Sequence, residues 1–460
     1  WRRGWRCCTF SPAAERIMKR LFKGGRVVDP VKGLVGAFDV LVDGGVIAKV
    51  GRDLPASLAD GGALVALTPA IVVCPGFIDM HVHLREPGQE HKETVASGVA
   101  AAVAGGFTAV ACMPNTRPVN DNAGVTELIL KKAADARLAR VYPIGAVSRG
   151  QLGEQLADIA ELKHAGCVAI SDDGHPVSTA LLARRAMEYA GMFGMPLIEH
   201  CEDPSLKGEG VAHEGPIAAS LGLKGIPGIA EAITAGRDIL IAEMVGGHVH
   251  VAHMSAWTTL EAVRQGKGRG VQVTCEVAPH HFTLTDELLA APVPYDTDAK
   301  MNPPLREARD RDAMLAGIAD GSVDVIATDH APHHADEKSV EFDRAPFGIV
   351  GLETAIPIVL DRLVHAGVIR LPRLVELMSV NPARILKVPG GSLTEGAAAD
   401  LTLLAPDLAV TIDRAALVSK SKNTPYHGWS FRGGVAATIV GGRAVYANAA
   451  AGVAIAAEVR

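Results

Sequence analysis

The sequence predicts an α/β protein, a (β/α)8 barrel carrying a small β-sandwich built from the two chain ends. Between about residues 70 and 385 a β-rich apolar run ending in polar residues, a loop and an Ala-rich helical pattern follow one another repeatedly. The runs number eight, which suits a closed parallel barrel of this length. Both flanks lack that rhythm and show hairpin signals instead.

The runs are Val72–His83, Phe107–Pro114, Arg140–Val147, Cys167–Asp173, Met195–Asp203, His248–Ser255, Val271–Val277 and Val323–His330. The segment "HKETVASGVAAAVAGG" shows the helical pattern between them, with Val95, Val99 and Val103 four apart on one face. A Rossmann-like sheet is the alternative, but the first run leads into "REPG" rather than a glycine-rich phosphate turn. In the flanks, "FDVLVDGGVIAKVG" alternates on both sides of Asp43-Gly44-Gly45, and "TIVGGRAVY" repeats the device. The expected organisation is residues 18–70 and 386–448 in one sandwich, 71–385 in the barrel, and 449–460 as an Ala-rich tail. The chain begins with Trp1, and Met18 opens the first well-patterned segment, so residues 1–17 read as a non-native or disordered extension. They lack the apolar core of a secretory signal.

With 460 residues, 48% of them apolar, the chain can bury a large core. A formal charge of -6 and 4% aromatic residues argue against a nucleic-acid surface. The apolar runs fall short of the roughly 20 residues that a membrane span needs. Seven cysteines, none in a C-x-x-C pair, fit a reducing compartment, and the expected location is the cytoplasm.

The chemistry is expected where barrel strands end, because active sites lie at the C-terminal rim. In "FIDMHVHLREPG", alternation puts His81, His83 and, if the strand extends that far, Arg85 on one face. The fourth run ends in Asp172 and Asp173, the fifth in His200, the sixth in His253 and the eighth in Asp329. Imidazoles and carboxylates together suit Zn²⁺ or a similar divalent ion. His248 and His250 alternate opposite to His253 and are expected to face the helices. His280 and His281 read as supporting or loop residues. The polar stretch from His333 to Ile349 reads as a mobile lid or an ordinary surface loop.

These motifs occur together with "MPNT" (Met113–Thr116), "SDDG" (Ser171–Gly174), "EHCED" (Glu199–Asp203), "AHMS" (Ala252–Ser255), "MNPPLR" (Met301–Arg306), "ATDHAPH" (Ala327–His333) and "APFGIVGLETA" (Ala345–Ala355). In that order they resemble the bacterial type I dihydroorotases of the amidohydrolase superfamily, from about Lys23 to Asn448. The resemblance implies a cyclic amide hydrolase that reversibly converts N-carbamoyl-L-aspartate to L-dihydroorotate in pyrimidine synthesis. It implies two zinc ions, one being the alternative, with His81 and His83 on the first and His200 and His253 on the second. Related hydantoinases and allantoinases bridge two metals with a carbamylated lysine after the fourth strand. This chain has no lysine there; alignment favours Asp173 over Asp172 as a bridging carboxylate.

By the same resemblance Asp329 is a metal ligand and the general acid/base. Arg85 would clamp the substrate carboxylate in a charge-assisted, bidentate contact. His83, Asn115, Asn302 and His333 would contact substrate, with backbone at Phe347 and Gly348 against the ring. The resemblance also implies self-association and association with aspartate transcarbamoylase. The alternatives are a hydantoinase or allantoinase on the same scaffold, or a non-catalytic subunit supporting the transcarbamoylase.

Overall fold

A computed structural model describes residues 19–458; the 1–17 extension lies outside the described residues. Eight parallel strands follow in spatial order as in sequence: Phe77–Val82, Phe107–Cys112, Arg140–Gly145, Ala169–Ile170, Leu197–Glu199, Val249–Val251, Val273–Val277 and Val325–Ile326. A parallel bridge between Val82 and His330, with the His83 amide donating to the His330 carbonyl at 2.9 Å, joins the first strand to the segment after the last. The expected (β/α)8 barrel is therefore present.

The helices cover the barrel because their inner faces are apolar. Val95–Ala104 buries Val95, Val99 and Val103, and Thr94 and Ser97 close its first turn as a capping box. Each fully buried valine of this kind contributes about 1.5–3 kcal/mol. Inside, Met80, Ala111, Ile144, Ala169, Ile198 and Val325 fill the barrel, and Ile385 and Leu386 pack among them from the N-terminal end. Among the described residues no helix is long and apolar enough to cross a membrane.

The sandwich takes strands from both ends. Its six-stranded sheet runs Arg443–Ala447, Ser430–Val440, Leu401–Thr411, Val72–Pro75, Arg26–Asp29, Leu34–Ala37. Its four-stranded sheet runs Val46–Gly51, Asp39–Asp43, Arg20–Lys23, Ala63–Ala66. Phe22, Val40 and Ile47 of the smaller sheet meet Val27, Val73, Leu401 and Ile439 of the larger one in a shared core. Gly44-Gly45 and Gly441-Gly442 turn the two expected hairpins, each glycine at positive φ as such turns require.

One expected run divides. Val72–His83 is two strands in different sheets, Val72–Pro75 in the sandwich and Phe77–Val82 in the barrel. The change of sheet falls at Gly76, whose amide donates to the Asp400 carbonyl. A Cβ at Gly76 would lie 2.1 Å from Thr108 Oγ1, so only glycine lets the second barrel strand approach this crossing. Apolarity alone could not reveal the break, since both pieces are buried. Arg140 ties the two units further, its Nε and Nη2 donating to Asp400 at 2.6 and 3.1 Å.

Replacing Gly76 by Ala is expected to destabilise the fold by about 1–3 kcal/mol, the usual cost of overpacking. The chemical-denaturation midpoint measures it; an unchanged midpoint would contradict the packing described.

Candidate metal centre

The six residues expected as metal ligands converge at the C-terminal rim. His81 Nε2 lies 3.4 Å from Asp173 and 3.5 Å from Asp329. His83 Nε2 is 3.1 Å from Asp329 and 3.5 Å from Asp173. His253 Nε2 is 3.3 Å from Asp173 and 2.9 Å from His200 Nδ1. All six side chains are buried.

Strand alternation does not by itself produce this convergence. The first strand ends at Val82, with irregular register between Asp79 and Val82, so Arg85 does not share a strand face with His81. Arg85, His253 and Asp329 have φ of 61°, 31° and 47°. The chain leaves each strand through a left-handed residue, which redirects the side chain towards the axis. His250 shows the same limit in reverse. It was expected to face the helices, but Val249 and Val251 do so, and His250 turns inward to Glu276. The left-handed turn at His253 breaks the alternation on which that expectation rested.

The paired aspartates separate. Asp172 accepts from the Val147 and Ser148 amides at 2.8 and 3.1 Å and from Ser148 Oγ at 2.5 Å, a structural set that occupies both its oxygens. Asp173 faces the imidazoles.

The Nδ1 atoms of His81 and His83 are held by oxygen acceptors. His81 Nδ1 donates to Glu276 at 2.5 Å, and His83 Nδ1 to Asn115 Oδ1 at 2.9 Å. With Nδ1 so engaged, Nε2 is the atom that each ring turns to the cluster. His81 Nε2 and His253 Nδ1 have no hydrogen-bond partner although buried. Asn302 stands 3.2 Å from His200 Nε2 while its Oδ1 is unpartnered. With that oxygen turned to His200, it accepts Nε2–H and leaves Nδ1 bare towards Asp173.

Electrostatics agree with the donor set. Burial opposes ionisation of Asp173 and Asp329, yet His81 and the neighbouring imidazoles hold both below the usual carboxylate range. Burial also disfavours a charged His81, but Glu276, Asp173 and Asp329 draw it well above its ordinary value. The pocket attracts positive charge, and its imidazole and carboxylate donors fit a divalent metal ion.

Beside the cluster opens a cleft of about 300 Å³, lined among others by His83, Arg85, Asn115, Asn302, His333 and Phe347. This is ample for a small cyclic ligand. Arg85 is buried, its Nε donating to the Pro332 carbonyl at 3.1 Å and its Nη2 lying 3.3 Å from His333 Nε2. Burial lowers its pKa to about 10, so it remains cationic at neutral pH. Gly348 does not open on the cleft: its amide donates to the Lys300 carbonyl and its carbonyl accepts from Asn423. The Phe347 carbonyl likewise meets His333 Nε2 at 2.8 Å.

Sequence reasoning missed Glu276, Lys300, Lys338 and Asn423. Glu276 carried a signal, an acid inside the apolar strand "VTCEV". The lysines gave none. Lys300 Nζ donates to the Phe342 and Asp343 carbonyls, and Lys338 Nζ to those of Thr297 and Pro346, each pair within 2.7–3.0 Å. They fasten the stretch expected to be a lid or surface loop to the segment before Asn302.

A closed barrel whose rim gathers four imidazoles and two carboxylates defines a metal-dependent hydrolase of the amidohydrolase type. Its overall fold is shared with L-hydantoinase (dihydropyrimidinase) from Arthrobacter aurescens, with TM-score 0.80, 23% identity, and 94% and 96% of the two chains covered. Dihydropyrimidinase from Brevibacillus agri NCHU1002 gives 0.81 and 22%, with 94% and 95% covered. In sequence, residues 70–258 match the dihydro-orotase-like family model. Dihydroorotase from Geobacter metallireducens is 50% identical over 93% of this chain and 100% of its own. That from Pelotomaculum thermopropionicum is 54% identical over 93% and 98%. The chain belongs to the dihydroorotase family.

Burial pushes Lys338 down from an ordinary 10.5 to about 7. Between those values the unfolded chain binds the additional proton, so this group makes stability rise with pH across about 7 to 10.5. The stability of the protein relative to its Lys338→Met variant is therefore expected to increase from pH 7 to pH 9 and to be flat well below pH 7. Thermal melts of both proteins at matched pH measure this; a difference that does not vary with pH would contradict it.

Proposed function

We propose that this chain acts as a zinc-dependent dihydroorotase, interconverting N-carbamoyl-L-aspartate and L-dihydroorotate. The observation that carries the reading is Arg85, a buried guanidinium opening on the same cleft as the His-Asp cluster. Both compounds carry a carboxylate that does not react, and a guanidinium of fixed orientation matches it. The absence of lysine at the fourth strand end, with Asp173 in its place, also favours dihydroorotase over the hydantoinases that share the fold.

Zinc, two ions per chain, would be held by His81, His83, Asp173, His200, His253 and Asp329. When bound, such an ion polarises the ring carbonyl and lowers the pKa of water from 15.7 to about 7. Arg85, Asn115 and His333 would hold the substrate carboxylate, while Asn302 and Phe347 border the ring. Asp329 works as the acid/base. In hydrolysis its free oxygen takes a proton from the attacking water and passes it to the ring nitrogen as the amide C–N bond breaks. In cyclisation the same oxygen removes the ureido proton and returns it to the departing water. Burial of the cluster keeps competing solvent away from these transfers.

Five described cysteines are buried free thiols, which suits the cytoplasm. Self-association would use the exposed Ile229, Ile233, Leu240 and Met244, which share the outer helix Gly228–Val245. Association with aspartate transcarbamoylase belongs to the same reading.

Purified protein is expected to hydrolyse L-dihydroorotate in preference to hydantoin and allantoin; preference for either of the latter would overturn the substrate assignment. Metal analysis of that sample is expected to give about two zinc ions per chain. Arg85→Ala should retain the metal yet lose activity by about 10²-fold or more through a raised KM and a misplaced ring. Normal kinetics in that variant would remove Arg85 from the site.

A further inference from the structure

The carboxylate that holds His81 is the upper end of a hydrogen-bonded chain through the barrel interior. Glu276 Oε1 accepts from His81 Nδ1 at 2.5 Å and from the His253 amide at 3.2 Å. Its Oε2 meets His250 Nε2 at 3.1 Å. His250 Nδ1 lies 2.8 Å from Thr274 Oγ1, and the same hydroxyl lies 2.8 Å from His248 Nε2. His250 and Thr274 are register partners on adjacent strands, and the flanking Val249, Val251, Val273 and Cys275 face the helices. The chain therefore runs inside the barrel, from the metal centre to half-buried His248 at the opposite end.

Each link fixes the next. Glu276 faces two imidazoles and a backbone amide, so its carboxylate oxygens are the acceptors of all three contacts. As an anion it can only accept, so His250 carries its proton on Nε2. Nδ1 of that ring is then an acceptor and takes the single proton of the Thr274 hydroxyl. The hydroxyl oxygen is left to accept Nε2–H of His248. Every donor points towards Glu276, and the carboxylate cannot rotate without breaking bonds to both His81 and His250.

We propose that His250, Thr274 and His248 are positioning residues for the metal centre: by locking Glu276 they hold His81 in the tautomer and orientation that present Nε2 to the ion. None of the three touches the cluster; their effect passes through Glu276. The inference rests on the reading of His81 as a metal ligand. Outer partners of metal-bound histidines typically govern affinity by 10–100-fold.

Thr274→Val keeps the shape and removes the hydroxyl. In a chelator competition for Zn²⁺ on metal-stripped protein, this variant is expected to bind the ion roughly 3- to 10-fold more weakly, below the range for a direct partner such as Glu276→Gln. Thr274→Ser should restore the affinity, which a purely packing role would not give. Long-range ¹H–¹⁵N spectra of histidine-labelled wild-type protein, assigned with His250→Gln, should show His250 protonated on Nε2 alone. Affinity in Thr274→Val equal to wild type, or a proton on Nδ1 of His250, would overturn the proposal. His81→Ala separates the two readings. If it leaves Zn²⁺ binding unchanged, the metal centre itself is wrong; if it abolishes tight binding while Thr274→Val does not alter it, only the chain is wrong.

Discussion

Four imidazoles and two carboxylates share one buried pocket, and most of the surrounding structure answers to the charge they carry. Bringing such groups out of water costs several kcal/mol per ion unless opposite charge and hydrogen bonds compensate. Around His81 the compensation is visible: Glu276 on one side, Asp173 and Asp329 on the other. Asp79, buried just below, accepts from the His81 and Thr328 amides and thereby braces the two strands that supply ligands. The cluster makes chemical sense with a cation at its centre.

The fold meets this demand by contributing few residues from many strands. A parallel barrel aims all its strand ends at one rim, so ligands widely separated in sequence become neighbours. Left-handed residues at Arg85, His253 and Asp329 then turn side chains that simple pleating would send elsewhere. Backbone strain of this kind persists where the surroundings over-determine it. At Asp329 the surroundings include the His83 ring and the strand-closing bridge at His330.

Fold and chemistry diverge at the fourth strand. Solved hydantoinases superpose on nearly the whole chain at low identity, so the scaffold does not decide the substrate. The side chains do. Asp173 stands in the cluster while its neighbour Asp172 is consumed by the Ser148 turn. Arg85, Asn115 and His333 line one side of the cleft. Lys300 and Lys338, through four backbone carbonyls, hold the loop that carries Phe347 against that cleft.

Eight apolar runs, two Gly-Gly hairpins and the polar residues closing five of the runs were legible because they follow from local rules: apolar runs alternating with helical patterns, positive φ at turns, and the location of barrel active sites. That the candidate ligands would meet at one rim could be read from the sequence for the same reason. The division at Gly76 could not, since a strand that changes sheets stays apolar throughout. The inward turn of His250 was also hidden, because alternation counted from His253 fails across a left-handed residue. Glu276 acts through partners 23 to 195 positions away, and Lys300 and Lys338 through backbone carbonyls. Such pairings depend on which strands become neighbours, and closure of the barrel alone determines that.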